Sequence, residues 1–386
     1  MCFSLCALCV YVLKKLNYTN GLLNQMKHSI ILLGATGFTG KLIAEKLDKD
    51  SVTFTICGRS LEKLQYLTEK CTHNHECLVL DVMKEEKIKS VLFQYEIVIN
   101  CVGPFNLWGN FIRNFCVQHG KIYIDISGEQ SFIEQSFMMD KLAKEKGATI
   151  IHSVSFESCM ADIIASEMLD SALKYSDISS YYFFRNSKPS PGTKLTMQLS
   201  KHFPTFFIHN GKMENASPLA FHKYISFDFL PGFTKALFMP YPEILFFNKK
   251  YKVNHSASYL MLNHSDAMFL LASRKQPIES VDKILKKHQS RKHNLNENDI
   301  AKQEFTLVVQ AIAEDGIKIT KYVHGRNMYG ITAFLVSYLV KQINSGLLLK
   351  KGIVTPSETG AWSGLWNVLI KEKLITHVQE LQSDEK

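Results

Sequence analysis

Gly34, Gly37 and Gly40 punctuate IILLGATGFTG, where a run of apolar residues gives way to a stretch with helical periodicity. A diphosphate needs backbone N–H groups at close range and a helix N-terminus to offset its charge, so the turn that holds it must keep side chains out of the way. Gly34, Ala35, Thr36, Gly37, Phe38, Thr39 and Gly40 provide such a turn, in the Gly-x-x-Gly-x-x-Gly spacing of extended reductases. About 20 residues further on, an NAD site usually carries an Asp or Glu for the ribose 2′-hydroxyl. Here TICGRSLEKL puts Gly58, Arg59 and Ser60 in that place, without a carboxylate. A guanidinium and a hydroxyl suit a 2′-phosphate. The expected cofactor is therefore NADP, with NAD second; a plain surface role for Arg59 is the alternative. Asp81, closing LVLDV, falls where adenine contacts arise.

Ligands of an open α/β sheet lie beyond the carboxyl ends of its strands. Three further segments should reach that edge. NCVGPF brings Cys101, Val102, Gly103 and Pro104 over the cofactor, YIDISGE brings Asp125 and Glu129, and HSVSFESCMADI brings His152 and Glu157. Asp125, Glu129, Glu157 and His152 are the candidates for a proton donor or polariser beside the cofactor. Asp125 has a second reading, as a cap of the helix that follows. The Tyr-x-x-x-Lys pair of short-chain dehydrogenases occurs only at Tyr11/Lys15 and Tyr66/Lys70, too early in the chain, which disfavours that chemistry. CTHNHEC offers Cys71, His73, His75 and Cys77, but their alternate spacing is no familiar zinc pattern, and the segment reads as a connector rather than a metal centre.

The elements that must position these residues follow from periodicity. Strands are expected at Ser29–Leu33, Thr53–Cys57, Leu78–Val82, Ile97–Cys101, Ile122–Ile126 and Thr149–Ser153, with helices near Phe38–Leu47, Leu61–Lys70, Lys84–Phe93, Asn110–His119 and Phe132–Lys146. That alternation is a Rossmann doubly wound parallel sheet over residues 26–155. Beyond it the chain becomes aromatic-rich and less periodic. A helix is expected at Asp162–Leu173, a strand at Ile178–Phe184, a hairpin over 304–325 turning at EDG, and a buried helix at 330–343. The resulting division is an amino-terminal extension (1–25), the Rossmann domain, a second α+β domain (156–329), and carboxy-terminal helices (330–386) that return to the first. Within the second domain, the aromatic tract 227–247 either dips into one leaflet of a membrane or forms an internal wall or dimer contact. Residues 273–303 read as a solvated linker or insertion.

GATGFTGKL, ICGRSLEKL, NCVGPFNLWGNFIRNFCVQHGKIYIDISGE and SFESCMADI together resemble the saccharopine dehydrogenase-like oxidoreductases, a family allied to bacterial trans-acting enoyl reductases. The resemblance is strong over about 27–165, and it returns near SPGT (190–193), GITAFLVSYL (330–339) and GIVTP (352–356). It implies a Rossmann NAD(P) domain, a second α/β domain whose last helices return to the first, and a place on lipid droplets or other membranes. Family members read Gly-Phe-Asp-Ser-Ile-Pro-Ala-Asp where this chain has Ser155-Phe156-Glu157-Ser158-Cys159-Met160-Ala161-Asp162. These changes fall in the expected substrate region, so they bear on turnover more than on cofactor binding.

Lys and Arg outnumber Asp and Glu by 45 to 36, a surplus that suits anionic ligands or lipid surfaces but is too diffuse for a nucleic-acid binder. The nine cysteines follow no framework spacing and point to a reducing compartment. The apolar run Cys2–Leu13 is too short to span a bilayer and lacks a basic start, leaving an interfacial anchor or an added start ahead of Met26. Two functions remain: an NADP-dependent oxidoreductase acting on an apolar, lipid-like substrate at a lipid-droplet or membrane surface, or a cofactor-binding but idle scaffold there. No nucleic-acid partner is expected, and a homodimer is left open.

Overall fold

The structure is a computed structural model, and it describes residues 28–230, 232, 235–273, 277–290 and 295–384. The apolar amino-terminal run lies outside the described residues. Strands β1 (Ile30–Leu33), β2 (Thr55–Gly58), β3 (Cys77–Val79), β4 (Ile97–Asn100), β5 (Ile122–Asp125) and β6 (Thr149–Ile151) alternate with helices α1 (Phe38–Lys49), α2 (Leu61–Lys70), α3 (Glu85–Leu92), α4 (Phe105–Gln118), α5 (Gln130–Phe137) and α6 (Asp140–Lys146). β1, β2 and β4 are buried at every residue, as runs covered by helices on both faces must be. The sheet order is β3-β2-β1-β4-β5-β6, all parallel, so the chain reverses its direction of growth between β1 and β4. A crevice opens at the carboxyl ends of those two strands.

Helix α7 (Phe156–Met168) leads into β7 (Lys174–Arg185), α8 (Pro191–Leu199), β8 (Phe206–His209), β9 (Lys212–Asn215), β10 (His222–Tyr224), β11 (Lys235–Phe238), α9 (Glu243–Lys250), β12 (Lys252–His255) and β13 (Ser258–Leu262). Helices α10 (His264–Ser273), α11 (Val281–Ser290) and α12 (Glu297–Ala301) precede the hairpin β14 (Glu304–Ala313) and β15 (Ile317–Arg326). Then come α13 (Met328–Asn344), β16 (Gly352–Val354), α14 (Leu365–Lys371) and β17 (Ile375–Asp384). The second sheet runs β10-β11-β13-β7-β14-β15-β17, with β12 also paired to β7. Helix α13 is apolar nearly all round and lies against α1, with Ile331, Leu335 and Leu339 fully buried. β16 pairs with β6 and becomes a seventh strand of the first sheet.

Several expectations are corrected. Helix α4 starts at Phe105, five residues before the periodic signal, and α7 starts at Phe156 rather than Asp162. The 330–386 segment is not helical throughout: β16 joins the first sheet, while β17 extends the second beside β15. In the aromatic tract Phe227, Phe238, Phe246 and Phe247 are all buried, so these rings are core and do not face a membrane. Its basic end is also engaged, Lys249 with Glu358 and Lys250 with Asp162. The 273–303 segment contains α11 and α12, and Ile284 of α11 packs on Leu195 and Leu199 of α8, which a bare linker would not do.

Candidate functional site

Gly34 adopts φ +77°, and a Cβ there would stand 2.9 Å from Val102 Cγ2. A Cβ on Gly40 would fall on the Gly34 carbonyl oxygen. These two glycines let the loop fold back on itself and meet the end of β4. Gly37 is the N-cap of α1, is exposed, and has no side chain over the first turn, which carries no acidic residue. The helix N-terminus is therefore bare and electropositive, and it fits a pyrophosphate. Ala35 is buried, its N–H bonded to the Cys57 carbonyl at 3.0 Å, while Thr36 and Thr39 are partly exposed. The Phe38 ring packs edge-on against Tyr329, 5.0 Å between centroids.

At the end of β2, Arg59 is exposed, and Ser60 caps α2 by accepting the Lys63 N–H. Ser60 thus has a local task beside the expected one. Asp81 is partly exposed and accepts the Met83 N–H at 3.1 Å. Cys101, Val102 and Gly103 sit at the mouth of β4, with Pro104 buried as the N-cap of α4. Burial pushes the Cys101 thiol far above its ordinary value, which leaves it inert as a nucleophile.

The four candidate proton donors separate. Asp125 and His152 are 0% and 1% exposed and bonded to each other, Oδ2 to Nδ1, at 2.6 Å. Asp125 Oδ1 also accepts the N–H groups of Ser127 and Ser153. The pair ties the β5 and β6 loops together beneath the crevice, and neither side chain reaches solvent. Glu129 accepts the N–H groups of Phe105 (2.7 Å) and Asn106 (2.8 Å), capping α4 from the neighbouring loop. Desolvation raises its carboxyl above the ordinary value, and the charge of Asp125 adds to this against the opposing amide bonds. Glu157, in the first turn of α7, is partly buried, and desolvation raises its carboxyl too.

Glu129 also lines a cleft where the two domains meet, with Asn106 and Gln130 from the first and Thr196, Phe203 and Pro240 from the second. Gln130 bridges the domains, donating to the Tyr241 carbonyl and accepting the Phe206 N–H. Residues Phe156, Ser158 and Asp162 of the altered segment act as fasteners. Phe156 N–H donates to Thr332, Ser158 donates to Glu243, and Asp162 pairs with Lys250. Sequence reasoning missed Glu243, which is fully buried, accepts from Ser180 and Tyr182 as well as Ser158, and is pushed up to about 7 by desolvation. Its only signal was a lone carboxylate among aromatics, EILFF.

Residues 30–151 match the family described as the saccharopine dehydrogenase NADP binding domain. A saccharopine dehydrogenase-like oxidoreductase of Homo sapiens is 31% identical over 157 residues, 36% of this chain and 37% of that one. A lipid droplet localized protein of Caenorhabditis elegans is 31% identical over 149 residues, 36% of this chain and 35% of the relative. The match thus spans little more than a third of each of these curated relatives. Among solved structures, apo saccharopine dehydrogenase (L-Glu forming) from Saccharomyces cerevisiae superposes with a TM-score of 0.61 over 92% of this chain and 100% of that chain, at 14% identity. Residues 30–151 are therefore similar to the saccharopine dehydrogenase NADP-binding domain family, and the chain as a whole shares the fold of that dehydrogenase.

Proposed function

We propose that the protein is an NADP(H)-dependent oxidoreductase that works on an apolar, lipid-like substrate in the cleft between its two domains. The observation that carries this is the bare glycine-loop N-terminus of α1, set at the same sheet edge as the cleft that contains Glu129. The Gly34–Gly40 loop holds the pyrophosphate, Arg59 and Ser60 the 2′-phosphate, Asp81 the adenine side, and Cys101–Pro104 the wall beside the reacting ring. The bound cofactor supplies the hydride. Glu129, the candidate carboxyl that lines the cleft, exchanges the accompanying proton with substrate or solvent. Asp125 and His152 position the loops that carry it.

A lipid-like substrate agrees with the name of the Caenorhabditis elegans relative, and the cleft, about 30 Å³ as it stands, has to widen to admit one. Among the described residues no helix is long and apolar enough to cross a membrane. Met268 and Phe269, exposed on α10, are apolar groups available for contact with a lipid surface. The idle-scaffold reading rests on the altered Ser155–Asp162 segment.

The test is a titration of the full chain with NADPH and NADH. NADPH binds tighter, and Arg59→Glu removes the preference by about tenfold or more, the loss of one charge-assisted phosphate contact. Equal affinities before and after the substitution overturn the Arg59 assignment. NADPH oxidation that a lipid extract accelerates supports the enzyme; bound NADPH that no extract oxidises supports the scaffold.

A further inference from the structure

Asp48, Cys71 and His75 meet at the opposite end of the first sheet from the crevice, where α1 and α2 finish and β3 begins. Their ligand atoms all lie within 4.8 Å of one another. Asp48 is 5% exposed; its Oδ1 meets His75 Nε2 at 2.8 Å and His73 Nδ1 at 3.0 Å, and its Oδ2 accepts the N–H and hydroxyl of Thr72. The His75 side chain is 2% exposed and packs on Phe54, and its Nδ1 is buried without a hydrogen-bond partner. The Thr72 N–H, which donates to Oδ2, and the His73 N–H, which donates to Oδ1 at 3.0 Å, account for the carboxylate as a lock on the 71–76 connector. They do not account for a thiol and a buried imidazole nitrogen that both lie within 4.8 Å of the same carboxylate.

We propose that Asp48, Cys71 and His75 bind a zinc-like divalent ion, with the fourth position taken by His73 or solvent. Tetrahedral zinc places its N, O and S ligands about 3.5 Å apart, so the ion requires only a slight opening of the Asp48–His75 contact and a small inward movement of the thiol. One oxygen, one nitrogen and one sulfur donor favour zinc or cobalt over magnesium or calcium. Coordination releases the thiol proton to solvent. The site lies at the amino-terminal edge of the sheet, far from the cofactor loop, so its role is to fasten the ends of α1 and α2 to β3.

Full-length protein stripped of metal by a chelator is titrated with Co(II) and then Zn(II). One equivalent of Co(II) binds with a thiolate-to-cobalt charge-transfer band; Zn(II) displaces it and raises Tm. Cys71→Ser abolishes the band and His75→Ala weakens Zn(II) by more than about a hundredfold, while Cys77→Ser keeps the band. No stoichiometric band, or a band that survives Cys71→Ser, overturns the site. NADPH binding by each variant reports that it is folded. Should Cys71→Ser fail to fold, X-ray absorption of the zinc-loaded wild type decides. One sulfur with lighter N/O neighbours supports the site, and a shell with no sulfur or several sulfurs overturns it.

Discussion

At the scale of single residues, the second domain's most consequential group is Glu243. Its carboxyl lies wholly buried among Ser158, Ser180 and Tyr182, and burial raises it from 4.5 to about 7 in spite of those three hydroxyl donors. Between those values the folded protein binds a proton that the unfolded chain has released, so this group's contribution to stability declines as pH rises through the window and stays low above it. The full penalty is about 3 kcal/mol for a displacement of this size. Glu243→Gln keeps a carbonyl acceptor and cannot ionise. Urea midpoints should therefore nearly coincide at pH 4 and favour the Gln variant at pH 8 by up to about that amount. A variant less stable than wild type at pH 8 would show that the ionised carboxylate is a net asset to the fold. Burial also explains why Asp125 and His152 serve as supports: a proton donor must meet its substrate, and this pair is bonded to each other and the loop backbone, with the His152 ring packed against Tyr123 and Phe132.

At the scale of elements, the glycine loop and α1 work as one unit. The Gly40 position is enclosed by the Gly34 carbonyl and the Ala35 backbone, which cannot yield as a flexible side chain would. Gly40→Ala should push α1 off the loop, weaken NADPH binding at least about tenfold and cost about 1–3 kcal/mol of stability, the range for overpacking. Gly128→Ala is the control, since nothing lies within 4 Å of the added methyl. Fluorescence titration and thermal melts read both. Elements of this kind were legible in sequence because local chemistry alone defines them: an apolar run, a glycine turn and a helical stripe coincide at 30–49. Where tertiary contacts decide, the signal faded. Helix α7 begins at Phe156 because Thr332 of a distant helix accepts its N–H, a partner 176 residues away. The aromatic tract gave no clear periodicity because β11 and residues 243–247 of α9 are buried on every side, and a buried tract and a membrane-seeking one have the same composition. The carboxy-terminal strands were hidden for a related reason: β16 is three residues long and β17 is an edge of mixed polar residues, so only the sheets they join define them.

At the scale of the whole molecule, Tyr329 connects the glycine loop to the second domain. Its ring packs on Phe38 in the first turn of α1, and its hydroxyl accepts the Ser190 N–H at 2.6 Å and lies 3.3 Å from the Thr193 hydroxyl at the start of α8. Helix α8 in turn supplies Thr196 to the cleft wall and packs against α11. A ligand that binds only the folded protein stabilises it by about 2.7 kcal/mol at a hundredfold excess over its Kd. Where that stabilisation appears depends on which segments open together. If Tyr329 couples the loop to α8, NADPH should slow amide hydrogen exchange in α1 and also in 190–199, although the glycine loop itself lies in the first domain. Tyr329→Ala should preserve the protection of α1 and β1 and erase that of 190–199. Its NADPH affinity should fall by less than about tenfold, since the Gly34–Gly40 loop keeps its own geometry. Protection of α8 that persists in the variant would place the coupling elsewhere, with Gln130, which bonds both Tyr241 and Phe206 across the same cleft, as the next link to break.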